Sequence, residues 1–396
     1  MTFLGDLCFK IGSGATPKGG KDSYRGGGYA LIRSQNVQDW EFTKSGLAYI
    51  NDEQASKLDA VQVESGDVLL NITGDSVTRA CIVPADIRKA RVNQHVCIVR
   101  PDGERLDNVY LLMFLESIKR RLLQIASSGA TRNALTKASI EALDLRLPTI
   151  EEQRRIAAPI RNISAQIDNL TQINGHLLEL TSAKYVELSK NQKNCNLNDI
   201  CEFVNDKTAI ENAVLETYVS TESLIADKRG RQIASKLPTS GKVTVYHPGD
   251  ILISNIRPYF KKIWFADCMG TCSNDVLAFR AKSDDMASLL YFTLYSDAFF
   301  EYTVAGSKGT KMPRGDKKQI MSYRIPAIDD VVKAFSSEAN RVLNLISTNR
   351  REIATLKQLR GTLLPKLMSG EIGVSKVELP TPPEQAQTST NGRLCG

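Results

Sequence analysis

The side chains that could do chemistry in this chain sit beside glycines and turns, and each familiar catalytic spacing breaks when read in order. Gly12-Ser13-Gly14 with Gly19, Gly20 and Lys21 approaches a phosphate-cradling loop, but the lysine is displaced by one and Asp22, not Ser or Thr, follows it. Asn255-Ile256-Arg257-Pro258-Tyr259 falls one proline short of the Asn-Pro-Pro-Tyr loop of adenine methyltransferases, and no glycine-rich cofactor loop precedes it. His95, His176 and His247 lie far apart and lack a nucleophile or metal spacing. Pro101-Asp102 with Glu104-Arg105 lacks the carboxylate–x–lysine of common nuclease cores. Of the cysteines, Cys268 with Cys272 and Cys195 with Cys201 are the close pairs; without matching histidines, thiols in a reducing compartment are favoured over zinc. No catalytic residue, metal or cofactor is expected in this chain. A self-contained DNA methyltransferase or nuclease with degenerate motifs is the rival reading, and a protein-binding adaptor a third.

What the loops offer instead is hydrogen bonding and positive charge. In the first half these residues are Ser13, Thr16, Arg33, Gln35, Asn36, Thr73, Arg79, Gln94, Thr131 and Arg132. In the second they are Asn255, Arg257, Tyr259, Lys261, Lys308, Lys311 and Arg314. Arginine can grip guanine with two bonds and Asn or Gln can grip adenine; Ser, Thr and Lys can hold phosphates. These residues are expected to contact DNA, against the competing role of closing turns. Asn71 and Asn274 border strands and are expected to be structural.

The elements that must carry these loops occur twice. Leu4-Gly-Asp-Leu-Cys-Phe9 returns as Leu197-Asn-Asp-Ile-Cys-Glu-Phe203, and Gly66-Asp-Val-Leu-Leu-Asn71 as Gly249-Asp-Ile-Leu-Ile-Ser-Asn255. Ala126-Ser-Ser-Gly-Ala-Thr-Arg132 returns as Ala305-Gly-Ser-Lys-Gly-Thr-Lys311, and Leu145-Arg-Leu-Pro148 as Tyr323-Arg-Ile-Pro326. A period near 180 residues is too long for a solenoid and suits domain duplication. Short apolar runs opened by Gly-Asp turns predict strands, and Asn108 to Ile125 has helical spacing. The expected class is α+β: two similar mixed α/β modules at 1–148 and 193–328, each followed by a long helix, at 149–192 and 329–372.

The first helix opens on a capping box, Thr149 to Glu152. A seven-residue pattern then passes through Ile156, Ile160, Ile163, Ile167, Leu170, Asn174, Leu177, Thr181, Lys184 and Leu188. The second helix carries a weaker seam through Phe335, Val342, Leu345, Asn349, Leu356, Leu359 and Leu363, with Ile346 and Ile353 broadening it. The two are expected to pair as an antiparallel coiled coil, closing the chain with pseudo-twofold symmetry, with Asn174 and Asn349 setting register. Pro365 is expected to kink or end the second helix, with Gly370 as its stop. Residues 373–396, with Pro380, Pro382 and Pro383, are expected to be a disordered tail.

Composition fits this plan. The chain has 396 residues, 24% charged and 42% hydrophobic, with a formal charge of +7. The basic excess is spread thinly over both modules, so any DNA contact must rely on local patches. No apolar run reaches the length of a membrane span and no leader is expected, which points to the cytoplasm.

In this order and duplicated, the motifs are specific. The chain resembles, over nearly its whole length, the specificity subunit of type I restriction–modification systems. The resemblance rests on Ile11-Gly-Ser-Gly-Ala-Thr-Pro17, Gly66 to Gly74, Val92-Asn-Gln-His-Val96, Ser127 to Leu135 and Leu147 to Ile156. In the second copy it rests on Gly249 to Tyr259, Cys272-Ser-Asn-Asp-Val276 and Leu363 to Ile372. It implies two target recognition domains, each reading one half of a split DNA site in the major groove, with two helices setting the gap. It also implies two modification subunits that carry the S-adenosylmethionine chemistry, and restriction subunits that carry ATP- and Mg-dependent translocation and cleavage. Two departures stand out: Thr78-Arg79 occupies a turn where the family often has glycine, and Pro326-Ala-Ile-Asp-Asp330 lacks the Glu-Gln helix start of the first copy.

Overall fold

Each Gly-Asp repeat builds the same corner. Gly66 and Gly249 take left-handed backbone, φ +85° and +90°, which glycine adopts without steric cost. The next residues, Asp67 and Asp250, are buried and accept from the backbone N–H of Glu64 (2.7 Å) and His247 (2.8 Å). Arg100 then meets Asp67 through two bonds of 2.7 and 2.9 Å, and Arg280 meets Asp250 through two of 2.9 and 2.7 Å. A two-pronged guanidinium contact is what makes burying a carboxylate tolerable. In return, hydrogen bonding to the carboxylates pushes both guanidinium pKa values up.

In this computed structural model the described residues are 2–17, 24, 26–128, 134–190, 195–375 and 377. The chain forms two compact units, one of 1–167 with 356–396 and one of 168–355. Each unit therefore takes one module together with a stretch of both long helices, where a division at the helix starts was expected.

In the first unit, β1 (Cys8–Ser13), β4 (Val68–Asn71), β5 (Ala80–Ile82) and β7 (Val96–Pro101) make an antiparallel sheet in the order β1-β7-β4-β5. Val68 stands opposite Val99. A second sheet, β3-β2-β6, joins β2 (Tyr29–Ile32) antiparallel to β3 (Ala48–Ile50) and parallel to β6 (Ala90–Val92). Helices α1 (Asn108–Ser117) and α2 (Lys119–Ser127) follow, and Leu111, Met113 and Leu115 of α1 are buried in the core with Val68 and Val99.

The second unit repeats the four-stranded antiparallel sheet but builds its other sheet differently. Its antiparallel sheet contains β8 (Cys201–Phe203), β12 (Ile251–Ser254), β13 (Ile263–Phe265) and β15 (Val276–Ala281) in the order β8-β15-β12-β13. Its other sheet contains β9 (Lys207–Ala209), β10 (Tyr218–Val219), β11 (Lys242–Tyr246) and β14 (Gly270–Cys272), with β10 and β14 parallel. Helices α4 (Ala287–Tyr295) and α5 (Asp297–Ala305) cover its core, α3 being the first long helix. Each module is also closed on itself: Thr2 pairs with Leu145, and Cys195 with Ile325.

The long helices are α3 (Ile150–Leu188) and α6 (Asp330–Ser369). The capping box forms as the sequence indicates: the Glu152 N–H donates to Thr149 Oγ1 (3.3 Å) and the Thr149 N–H to Glu152 Oε2 (3.0 Å). Gln153 is buried and holds the Asp107 N–H and the carbonyls of Arg105 and Pro148. The second copy replaces this device. Asp329 accepts from the Val332 N–H (2.8 Å), and Ser336 donates to the Asp285 carbonyl.

Within each unit the two helices run antiparallel. In the first, Ser164 meets Arg360 (3.2 Å), while Ile160 shares a core with Leu364 and Leu367. In the second, Asn174 meets Asn349 (2.8 Å) and Lys184 meets Glu338 (2.5 Å). Moving up one helix moves down the other. Ile160, Ile163, Ile167 and Asn174 are buried, and Leu170 and Leu177 half-buried, as expected for the first seam.

The second seam is corrected. It runs through Phe335, Ala339, Leu343, Ile346, Asn349, Ile353, Leu356, Arg360 and Leu364, with Val342 and Leu363 half-buried beside it. Leu345 and Leu359 are exposed by 47% and 43%, one helical position off the buried stripe. Arg360 takes a seam position because its guanidinium lies 4.6 Å from the centre of the Trp40 ring. Lys184 in the first helix is also exposed, and Tyr185 takes its buried place. Pro365 does not end α6, which continues to Ser369; Gly370, at φ +78°, does. Of the segment expected as a tail, 376 and 378–396 lie outside the described residues, while Val374 packs against the first core.

Candidate nucleic-acid interface

In each module three loops are drawn to one edge by backbone bonds between strands distant in sequence. In the first, the Ile72 N–H donates to the His95 carbonyl (3.0 Å) and the Leu135 N–H to the Ile72 carbonyl (2.8 Å). The Gly14 N–H donates to the Asn93 carbonyl (3.1 Å), which brings in the 14–17 stretch. A Cβ on Gly14 would sit 1.8 Å from the Val92 carbonyl oxygen, so only glycine permits this approach. Gly14 is therefore a packing residue and not part of a phosphate cradle.

Side chains then form a chain of bonds across the loop tips. Thr16 donates to Gln94 Oε1, Gln94 Nε2 lies 3.1 Å from His95 Nε2, and His95 Nδ1 lies 2.6 Å from Thr73 Oγ1. Beside them is a surface pocket of about 360 Å³, lined by Ser34, Thr73, Gly74, Asp75, Ser76, Arg79 and His95. Arg79 reaches it while donating to Gln38 Oε1 (2.7 Å).

Arg33 and Gln35 both donate to the Gly46 carbonyl, at 2.6 and 3.1 Å, and Gln35 is exposed. Ser13 is exposed at the end of β1. Asn36 is a correction. It is fully buried, accepts from the Arg33 N–H and donates to the carbonyls of Thr43 and Ser45, so it organises its loop instead of facing outward. Thr131 and Arg132 lie outside the described residues. His95 and Gln38 were not among the expected contacts; the signal for His95 was its place next to Gln94 between two paired strands.

The second module assembles the equivalent edge. The Asn255 N–H donates to the Asp275 carbonyl (2.9 Å), the Gly315 N–H to the Asn255 carbonyl (3.3 Å) and the Arg257 N–H to the Pro313 carbonyl (2.8 Å). Arg314 pairs with Asp275 (3.0 Å), Lys308 with Asp316 (2.5 Å) and Lys261 with Asp297 (2.6 Å). Hydrogen bonds from Lys228 and Lys261 hold the Asp297 carboxyl below the usual carboxylate range. Lys311 and Tyr259 are exposed. Asn274 is structural, as expected: it accepts from Lys207 and donates to the Lys242 carbonyl. Asn71 is likewise buried and donates to the carbonyls of Ser34 and Val37.

Unmet polar atoms gather at these edges. Among the described residues, Arg33 Nε, Asn71 Oδ1, Thr78 Oγ1, Asn255 Oδ1 and Arg257 Nε here, and Thr271 Oγ1 and Gln319 Oε1 elsewhere in the second module, are buried without a hydrogen-bond partner. Such atoms are costly in a folded chain unless water or a ligand meets them. Thr78 also carries a left-handed backbone, φ +75°. Elsewhere, no three His, Cys, Asp or Glu residues cluster as a metal site among the described residues. No helix among them is long and apolar enough to cross a membrane.

Known proteins show the same pattern. The family model for the type I restriction modification DNA specificity domain matches residues 1–179. A putative type I restriction enzyme MjaX specificity subunit from Methanocaldococcus jannaschii is 22% identical over 94% of this chain and 93% of its own length. The type I restriction enzyme EcoBI specificity subunit of Escherichia coli is 26% identical over 41% of this chain and 34% of its own. The crystal structure of the type I restriction–modification S subunit from M. genitalium shares the fold, with a TM-score of 0.50 at 14% identity over 92% of this chain and 94% of that one. Residues 1–179 thus match the type I restriction modification DNA specificity domain, and the chain as a whole, with its duplicated modules and antiparallel helices, is similar over most of its length to type I specificity subunits.

Proposed function

We propose that this chain is the non-catalytic reader of a two-part DNA site. Each module contacts one part through its loop edge, and the paired helices set the unspecified gap. The observation that carries this is the same edge built twice, each time from polar and basic side chains on loops anchored to a rigid sheet. Arg79, Gln35 and Gln94 in the first module, and Arg257, Lys261, Lys308, Lys311 and Arg314 in the second, supply donors for bases and phosphates. Ser13, Thr16 and Thr73 can hold phosphates or fix their neighbours. The chemistry belongs to companions: two modification subunits using S-adenosylmethionine, and restriction subunits using ATP and Mg, all working in the cytoplasm.

Co-expression with the cognate modification subunit, followed by genome-wide N6-methyladenine mapping, tests this reading. A two-part motif with a fixed gap is expected, and replacing residues 193–328 by another such module changes only one part. Methyl transfer by the purified chain without partners would reject the non-catalytic assignment, and a change in both parts would reject the division of labour.

A further inference from the structure

The loop after the Gly-Asp strand holds left-handed residues at the same two positions in both modules but carries different chemistry. In the first, Gly74 (φ +75°) opens a single 3-10 turn, the Val77 N–H closes it on the Gly74 carbonyl (3.1 Å), and Thr78 (φ +75°) follows. In the second, Arg257 (φ +51°) and Lys261 (φ +49°) bracket an equivalent turn, and the Phe260 N–H closes it on the Arg257 carbonyl (3.0 Å). The strand bonds agree on the alignment. The Asn71 N–H meets the Arg79 carbonyl (2.8 Å), and the Ser254 N–H meets that of Lys262 (3.2 Å). Ser76 and Val77 therefore correspond to Tyr259 and Phe260.

In the first module Val77 turns inward and is buried, so the turn becomes one wall of the polar pocket. In the second both aromatic rings stand out, Tyr259 exposed by 48% and Phe260 by 39%, with centroids 4.7 Å apart. Two non-glycine residues are held in left-handed backbone to present them, a conformation that persists only where the surroundings enforce it. Those surroundings are visible. The Asp227 N–H donates to the Phe260 carbonyl and the Lys228 N–H to that of Lys261, both at 2.9 Å. Lys228 and Lys261 share Asp297, and Lys262 donates to the Thr221 carbonyl (2.5 Å). The rings are thus a rigid apolar projection ringed by Arg257, Lys261 and Lys262.

We propose that Tyr259 and Phe260 form a wedge that enters a base step in the part of the site contacted by the second module, unstacking it, while the first module works by hydrogen bonds in its pocket. An apolar projection among cations fits a nucleic acid, whose bases offer apolar faces and whose phosphates meet the lysines. This rests on the DNA-reading function proposed above, and the test separates the two.

The complex with the modification subunits is bound to a duplex carrying the mapped two-part site, with 2-aminopurine replacing each purine of the second module's part in turn. Apart from the methylated adenines, which the modification subunits extrude, a fluorescence rise at one step of the second module's part, with none in the first module's part, is expected. The double variant Tyr259→Ala/Phe260→Ala should abolish that rise and weaken binding by roughly tenfold, the scale of a lost base–aromatic stack, with an unchanged salt slope. Tyr259→Phe and Phe260→Leu, which keep the apolar bulk, should preserve the rise and report that the loop is intact. Tight, site-specific binding by the native complex with no fluorescence change at any step other than the methylated adenines would overturn the wedge and leave DNA reading standing. Absence of site-specific binding by the native complex would overturn both.

Discussion

Glu116 lies on α1 beneath the loops of the first module, only 3.3 Å from Lys119. Burial pushes its carboxyl up to about 7, and the opposing pull of Lys119 is the smaller effect. A carboxyl raised in the folded state favours folding fully below the unfolded value of 4.5, and that contribution is lost as pH rises through about 7. Glu116→Gln should therefore flatten the fall in stability across that window and raise stability at neutral pH by on the order of 2 kcal/mol. Thermal unfolding of both proteins from pH 4.5 to 7.5 checks this; parallel curves would mean that Glu116 does not titrate there. The residue scale is also where sequence reading was weakest. Gln35 and Asn36 are neighbours of similar type, yet one is exposed and the other fully buried inside its own loop.

At the scale of elements, the two long helices bury an asparagine pair between them. Asn174 and Asn349 are both buried, and each is the other's partner. Asn174→Leu strands the amide of Asn349 and should cost about 1–3 kcal/mol. Asn174→Leu with Asn349→Leu removes both polar groups and should recover that loss or exceed it, while freeing the helices to slip in register. A double-mutant cycle by denaturant unfolding reads the first effect, and cysteine cross-linking across the seam reads the second. Equal stability of all four proteins would show that the two amides are not coupled, and unchanged cross-links in the double variant would show that the pair does not set register. The heptad pattern in α3 was legible because burial there repeats at a fixed period. In α6 the pattern alone favoured Leu345 and Leu359, which are exposed; Arg360 is buried by Trp40, far away in sequence.

At the scale of the molecule, the proposed spacing role gives a prediction in base pairs. By the register of Asn174 with Asn349, residues 167–173 stand opposite 350–356. Removing both heptads keeps the seam in phase and shortens each helix by about 10.5 Å, or about three base pairs of duplex. Methylation mapping of this variant should show both parts of the motif unchanged and the gap shortened by about three. An unaltered gap with retained methylation would mean that the helices do not measure it.

The duplication, the module–helix alternation, the Gly-Asp corners and the Thr149 cap were all present in the sequence. Each depends on neighbours or on a short period, so local residue types suffice to specify it. Tertiary structure alone decided which polar side chains face outward, which seam leucines are covered, and how the loop corner is used. In one module that corner becomes a pocket wall and in the other an aromatic projection. Those outcomes depend on contacts between strands and helices far apart in the chain, where burial is set by what a residue meets and not by what it is.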